Sequence, residues 1–221
     1  MQSFIFDFNG TLFLDAEIHR VAWKRFLAER GHPITDEIFD KYVYGPGNDV
    51  ILRRFFGDTL SDDEVSALSE DKEAAYRAIV LANPALQSLA PGASEMLDML
   101  KARSVPCAVA TASIRSNVDF YMDDLGLKRW FDYDHVFYMN GDIPGKPDPA
   151  LYLMAMARLG CDPKSTTVVE DSLTGIRAAE AAGVARIIAI DTTMGPAALT
   201  KLPCVYAVVH DFYGFERFID E

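Results

Sequence analysis

The hexapeptide Asp7-Phe8-Asn9-Gly10-Thr11-Leu12 follows an apolar run, Phe4-Ile5-Phe6. A short buried strand of this kind presents Asp7 at its end, and Gly10-Thr11 turns the backbone away. In an open α/β sheet that end of a strand is where ligands bind. Three further clusters share this character. Val109-Ala110-Thr111 is an apolar strand ending in a hydroxyl, followed by Ala112 and Ser113. Gly145-Lys146-Pro147-Asp148-Pro149 sets a lysine beside two prolines of fixed backbone, just before a helix, so that the ammonium is directed. Val168-Val169-Glu170-Asp171-Ser172 ends an apolar strand in two adjacent carboxylates, which repel each other unless a cation compensates them.

Each cluster has an ordinary explanation when taken singly. A strand-end aspartate caps a turn, a threonine after a strand commonly caps a helix, and an isolated lysine is a solvated surface charge. Together they supply one kind of chemistry. Asp7, Glu170 and Asp171 are the oxygen ligands that Mg²⁺ prefers, with room left for waters and a phosphate. A hydroxyl and backbone N–H groups at a helix N-terminus seat an anion.

The elements that must position these residues are read from periodicity. Strand-like runs recur at 3–6, 106–110, 135–138, 166–169, 186–190 and 205–209. Helical patterns lie between the later ones, at 93–103, 116–127, 149–159 and 173–182, the second with Val118, Tyr121, Met122 and Leu125 on one face. Such alternation predicts right-handed crossovers and a doubly wound parallel sheet. Residues 15 to about 88 break the rhythm: only helical stretches are found, at 16–30, 35–42, 49–56 and 62–81, with Asn83-Pro84 and Ala90-Pro91-Gly92 marking the exit. The expected fold is therefore α/β, a Rossmann-like core of residues 1–14 and 89–221 with an inserted all-helical cap at 15–88.

In this order and in these strand contexts, the four motifs resemble those of the haloacid dehalogenase (HAD) superfamily, in the subfamily with a helical cap between the first and second motifs. Residues Asp15 to Lys24 look like the first cap helix of the β-phosphoglucomutase-like enzymes. The resemblance implies that Asp7 is the nucleophile that becomes an aspartyl-phosphate, and that Asp7, Asn9 and Lys146 are the catalytic set. Thr111, with Ala112, Ser113 and Lys146, would hold the phosphoryl group. Asp7, Asp171 and the main-chain carbonyl of Asn9 would coordinate Mg²⁺, with Glu170 as a ligand or immediately behind one. Asn117 is a further candidate, and His19, Asn48 and Lys72 would meet the substrate from the cap. On composition alone His19 is a polar-face helix residue and Lys72 one charge of a solvated face.

Two positions depart from the pattern. Asn9 stands where an aspartate would protonate the leaving group and activate water, a contribution of roughly 10²–10⁴ in rate. Asn48 stands where the mutases carry an arginine for a second phosphate. The implied function is a Mg²⁺-dependent phosphohydrolase of a small phosphorylated metabolite. Two alternatives stay open: a β-phosphoglucomutase-like phosphotransferase, and a weakly active or inactive phosphometabolite-binding protein.

Composition bounds these readings. The chain has 221 residues, a net charge of −12 and half its residues apolar, so a nucleic-acid or anionic-membrane surface is not expected. Cys107, Cys161 and Cys204 fit neither a zinc spacing nor a disulfide framework. No basic region or long apolar run precedes Asp7, so a signal peptide is not expected, and the Asn9-Gly10-Thr11 sequon carries no weight. A cytoplasmic monomer is the expectation.

Overall fold

The computed structural model describes residues 2–45, 47–139 and 143–219. The chain divides into two units, Met1–Leu14 with Ser88–Glu221, and Asp15–Gln87. The second holds helices α1 (Ala16–Glu29), α2 (Asp36–Tyr42), α3 (Asn48–Phe56) and α4 (Asp62–Ala82). It has an apolar core of its own, in which Trp23, Phe26 and Leu27 of α1 meet Phe39, Ile51, Leu52 and Val65. Local chemistry fixes the helix starts. Thr35 caps α2 through Ile38 N–H, and Ser61 with Glu64 forms a capping box on α4, a device worth about 1 kcal/mol. Pro46 lies outside the described residues.

The first unit is built on strands β1 (Ser3–Phe6), β2 (Cys107–Ala110), β3 (Val136–Phe137), β4 (Thr166–Glu170), β5 (Arg186–Ile190) and β6 (Ala207–Val209). They form one sheet in the order β3-β2-β1-β4-β5-β6, with every neighbouring pair parallel. Parallel neighbours require long crossovers, and α5 (Ala93–Ala102), α6 (Arg115–Asp123), α7 (Ala150–Leu159), α8 (Leu173–Ala181) and α9 (Pro196–Leu199) lie on them. The fold class is α/β, doubly wound and Rossmann-like, with a helical insertion.

Strand β1 is buried on both faces. Its alternating side chains address two cores. Ile5 packs with Ala108, Ala110, Leu151, Tyr152 and Val168, while Phe4 and Phe6 meet Phe215 and Phe212 at ring separations of 5.6 and 6.3 Å. The sequence reading assigned no element to that aromatic C-terminal segment, nor to α9. The helix expected over 116–127 stops at Asp123, because Leu125 N–H turns back to Phe120 O and Gly126 takes a left-handed φ of 72°. The strands expected over 135–138 and 205–209 are shorter than their apolar runs, two and three residues long. Among the described residues no helix is long and apolar enough to cross a membrane.

Candidate active site

Register brings the motif residues level. Phe6 pairs with Val169 and with Val109, and the Asp7 N–H extends the ladder by donating to Val169 O at 3.0 Å. Thr111 N–H likewise donates to Phe137 O at 2.9 Å. Strands β2 and β3 run to one side of β1 while β4, β5 and β6 run to the other. Asp7 and Glu170 therefore stand at the point where the strand order reverses, the usual ligand crevice of such sheets. A cleft of about 460 Å³ lies elsewhere, beside the start of β2, lined by Pro106, Cys107 and Trp130 and by none of the candidate residues.

Lys146 ties the carboxylates together. Its side chain is 5% exposed, and Nζ donates to Asp7 Oδ1 at 2.6 Å and to Glu170 Oε1 at 2.7 Å. The Lys146-Pro147 bond is cis. Burial alone would lower the lysine, but Asp7 and Glu170 hold it well above its ordinary range. Glu170 also accepts from Tyr152 OH at 3.1 Å, from the N–H groups of Asp171 and Ser172 at 2.8 Å, and from Ser172 Oγ at 3.0 Å. Both its oxygens are thus engaged. Burial pushes its carboxyl up, yet Lys146 overrides this and keeps it below the ordinary value.

Asp7, Glu170 and Asp171 each offer an oxygen within 4.8 Å of the others. Burial raises Asp7 to about 7, with Lys146 opposing, and burial with the Glu170 and Asp7 charges raises Asp171 to about 8. Asp171 accepts from Thr11 Oγ1 at 3.3 Å and from Thr193 Oγ1. Gly10, at φ 78°, is required here, since a Cβ on it would lie 2.3 Å from Asp171 Oδ2. Converging hard oxygen donors that resist ionising side by side fit a divalent cation such as Mg²⁺.

Asn9 Oδ1 accepts from Thr111 Oγ1 at 3.1 Å and Ser113 Oγ at 2.7 Å, while Nδ2 donates to Tyr121 OH at 2.9 Å. Thr111 does not cap α6, whose N-cap is Ile114; its Oγ1 instead accepts from Ser113 N–H at 3.2 Å. Ala112 is exposed, and Asn117 is buried in the first turn of α6.

The cap-helix candidates form a network within their own unit. His19 lies flat on Tyr76, 4.1 Å between ring centres, with Nε2 3.3 Å from Asp15 Oδ2 and Nδ1 3.2 Å from Lys72 Nζ. Lys72 is 1% exposed rather than part of a solvated face, and burial lowers it against the opposing pull of its partner Glu73. Asn48 Nδ2 donates to the same Glu73 carboxylate at 3.0 Å. Sequence reasoning missed Glu73, Asp15, Tyr152, Thr193 and the hydroxyl role of Tyr121. The signal available for the tyrosines was their place on buried helix faces, where a phenol must find a partner.

Comparison with known proteins decides the family. The family model for haloacid dehalogenase-like hydrolases matches residues 1–183. The chain belongs to that family. A HAD hydrolase of family IA, variant 3, from Entamoeba histolytica superposes with a TM-score of 0.91 at 30% identity, over 100% of this chain and 98% of that one. Among curated HAD relatives, the validoxylamine A 7'-phosphate phosphatase of Streptomyces hygroscopicus is 31% identical over 184 residues, 81% of each chain. The phosphorylated carbohydrates phosphatase of Thermotoga maritima is 26% identical over 194 residues, covering 86% of this chain and 85% of that protein. This HAD hydrolase carries the helical insertion after its first strand, as the β-phosphoglucomutase-like resemblance implied.

Proposed function

We propose that this HAD hydrolase is a Mg²⁺-dependent phosphomonoesterase of a small phosphorylated metabolite, working through an aspartyl-phosphate on Asp7. The observation that carries the reading is Lys146 bridging Asp7 and Glu170 at 2.6 and 2.7 Å beside Asp171. An Asp7 carboxylate oxygen forms the new bond to phosphorus as the ester P–O bond breaks and the leaving group departs with its electron pair. Water then attacks the phosphorus as the P–O bond to Asp7 breaks, releasing inorganic phosphate and the Asp7 carboxylate, and the proton the water gives up balances, through solvent, the one the leaving alkoxide takes. Lys146 balances the charge of the transferring group, and the 111–113 loop seats it. Asp7, Asp171 and the Asn9 main-chain carbonyl would hold Mg²⁺, with Glu170 acting through Lys146. The cation supplies charge neutralisation on the phosphoryl oxygens. Relatives named as phosphatases of a phosphorylated carbohydrate and of validoxylamine A 7'-phosphate support the substrate class.

His19, Asn48 and Lys72 are the residues proposed to select the leaving group. The mutase alternative is disfavoured by their charges, because Asn48 is neutral and Lys72 is already paired with Glu73. Turnover of a metabolite-phosphate panel and an aryl phosphate, with Mg²⁺ and with EDTA, tests the reading. Hydrolysis should require the metal, and Asp7→Asn should abolish it. Wild-type-like turnover in Asp7→Asn would sink the aspartyl-phosphate mechanism, and no turnover of any phosphomonoester would favour the binding-protein alternative.

A further inference from the structure

The contacts of Asn9 close into a ring. Ser113 Oγ lies 2.7 Å from Asn9 Oδ1 and 3.0 Å from Tyr121 OH, and Tyr121 OH lies 2.9 Å from Asn9 Nδ2. Counting protons fixes its direction. Asn9 Oδ1 can only accept, so Ser113 gives it its hydroxyl proton. Tyr121 then donates to Ser113 Oγ and accepts from the Asn9 amide. Thr111 Oγ1 joins as a second donor to Asn9 Oδ1 while accepting Ser113 N–H.

Tyr121 is held on its far side as well. Its fully buried ring stacks on Phe8 at 4.0 Å and 27°, and Phe8 in turn stacks on Phe13. The ring thus joins the turn after β1 to the loop after β2 through side chains alone. We infer that Tyr121 is a positioning residue for phosphoryl transfer: through Asn9 and Ser113 it fixes the 111–113 loop before substrate arrives. The inference rests on the phosphohydrolase reading, which makes that loop the phosphate seat. A backbone already held in its bound conformation need not be ordered by the ligand, whereas a loop tied only at its ends must be, at a cost in affinity.

The test measures inorganic phosphate binding in Mg²⁺ by calorimetry, with KM and kcat on an aryl phosphate, for wild type, Tyr121→Phe, Asn9→Leu and the double variant. Tyr121→Phe keeps the aromatic stack and removes only the hydroxyl. Phosphate affinity should fall about five- to tenfold, with a matching rise in KM and little change in kcat, while loss of both hydrogen bonds of the buried hydroxyl lowers the melting temperature by only a few degrees. The double variant should be no worse than Asn9→Leu, since either substitution opens the same ring. Unchanged or tighter phosphate binding by Tyr121→Phe would overturn the inference, because the ring would then be irrelevant or would compete with phosphate for the hydroxyls. A melting temperature that falls with phosphate affinity intact would reduce Tyr121 to packing. A wild type that binds no phosphate in Mg²⁺ overturns the phosphohydrolase reading itself.

Discussion

At residue 9 the chain carries an amide where its resemblance calls for a carboxylic acid. An amide orients water or a substrate oxygen but exchanges no proton at neutral pH. Asn9→Asp is therefore expected to raise turnover about tenfold or more on alkyl phosphates, up to the roughly 10²–10⁴ that a positioned acid–base group contributes. On aryl phosphates, whose leaving group departs with little protonation, the gain should be smaller. The site accommodates the change, because Thr111 and Ser113 already donate to Asn9 Oδ1 and the Tyr121 hydroxyl can rotate to donate in its turn. Paired assays on a sugar phosphate and an aryl phosphate check this. Equal rates for both proteins on both substrates would mean that another group already moves the proton. Asn9 precedes Gly10, an order prone to deamidation, so intact mass must accompany the comparison.

At the scale of elements, the turn from β4 into α8 is folded around one carboxylate. Ser172 caps α8 by accepting Gly175 N–H at 3.1 Å, and the same Ser172 donates to Glu170. Gly175 is the residue that leaves room: a Cβ there would lie 1.6 Å from Glu170 Oε1. Gly175→Ala should displace Glu170, loosen its grip on Lys146 and lower stability by about 1–3 kcal/mol, the usual cost of overpacking. Activity should fall more steeply than stability, since Lys146 loses one of its two anchors. Thermal melting and kcat/KM measured together check the claim, and a variant normal in both would show that Glu170 does not set the lysine. The sequence reading recognised α8 as a helix of the right place and length. It did not see why position 175 is glycine, because the clash is with the preceding strand end rather than along the helix.

At the scale of the whole molecule, the acidic cluster ties stability to pH and metal. In the metal-free protein Asp7 and Asp171 have carboxyls raised to about 7 and about 8. A raised carboxyl stabilises the fold most below its unfolded value, and that contribution is lost as pH rises through the folded value. Between about pH 4 and pH 8 these two groups therefore make the metal-free protein progressively less stable. On the proposed reading Mg²⁺ would bind the ionised form, so the stabilisation it gives should grow over the same interval. At a concentration of about 100 times its dissociation constant it should approach 2.7 kcal/mol. Melting curves with EDTA and with Mg²⁺ from pH 5 to pH 8 test this, and a metal effect independent of pH would show that the two carboxyls do not titrate with the site.

The sequence by itself determined the sheet, the helical insertion and the strand ends that bear Asp7, Thr111 and Glu170. These follow from periodicities within a few residues, and a parallel sheet necessarily gathers its carboxyl ends at one edge. Only the tertiary structure decided who touches whom there. Lys146 reaches Asp7 across 139 positions and Tyr121 reaches Asn9 across 112, contacts set by strand register and helix packing that no local pattern encodes. The same holds for Glu73, which claims both Lys72 and Asn48, and for the C-terminal phenylalanines, whose partner is the first strand of the chain. Apolar spacing reports that a side chain is buried. Its hydrogen-bond partner is decided by whichever element packs against it.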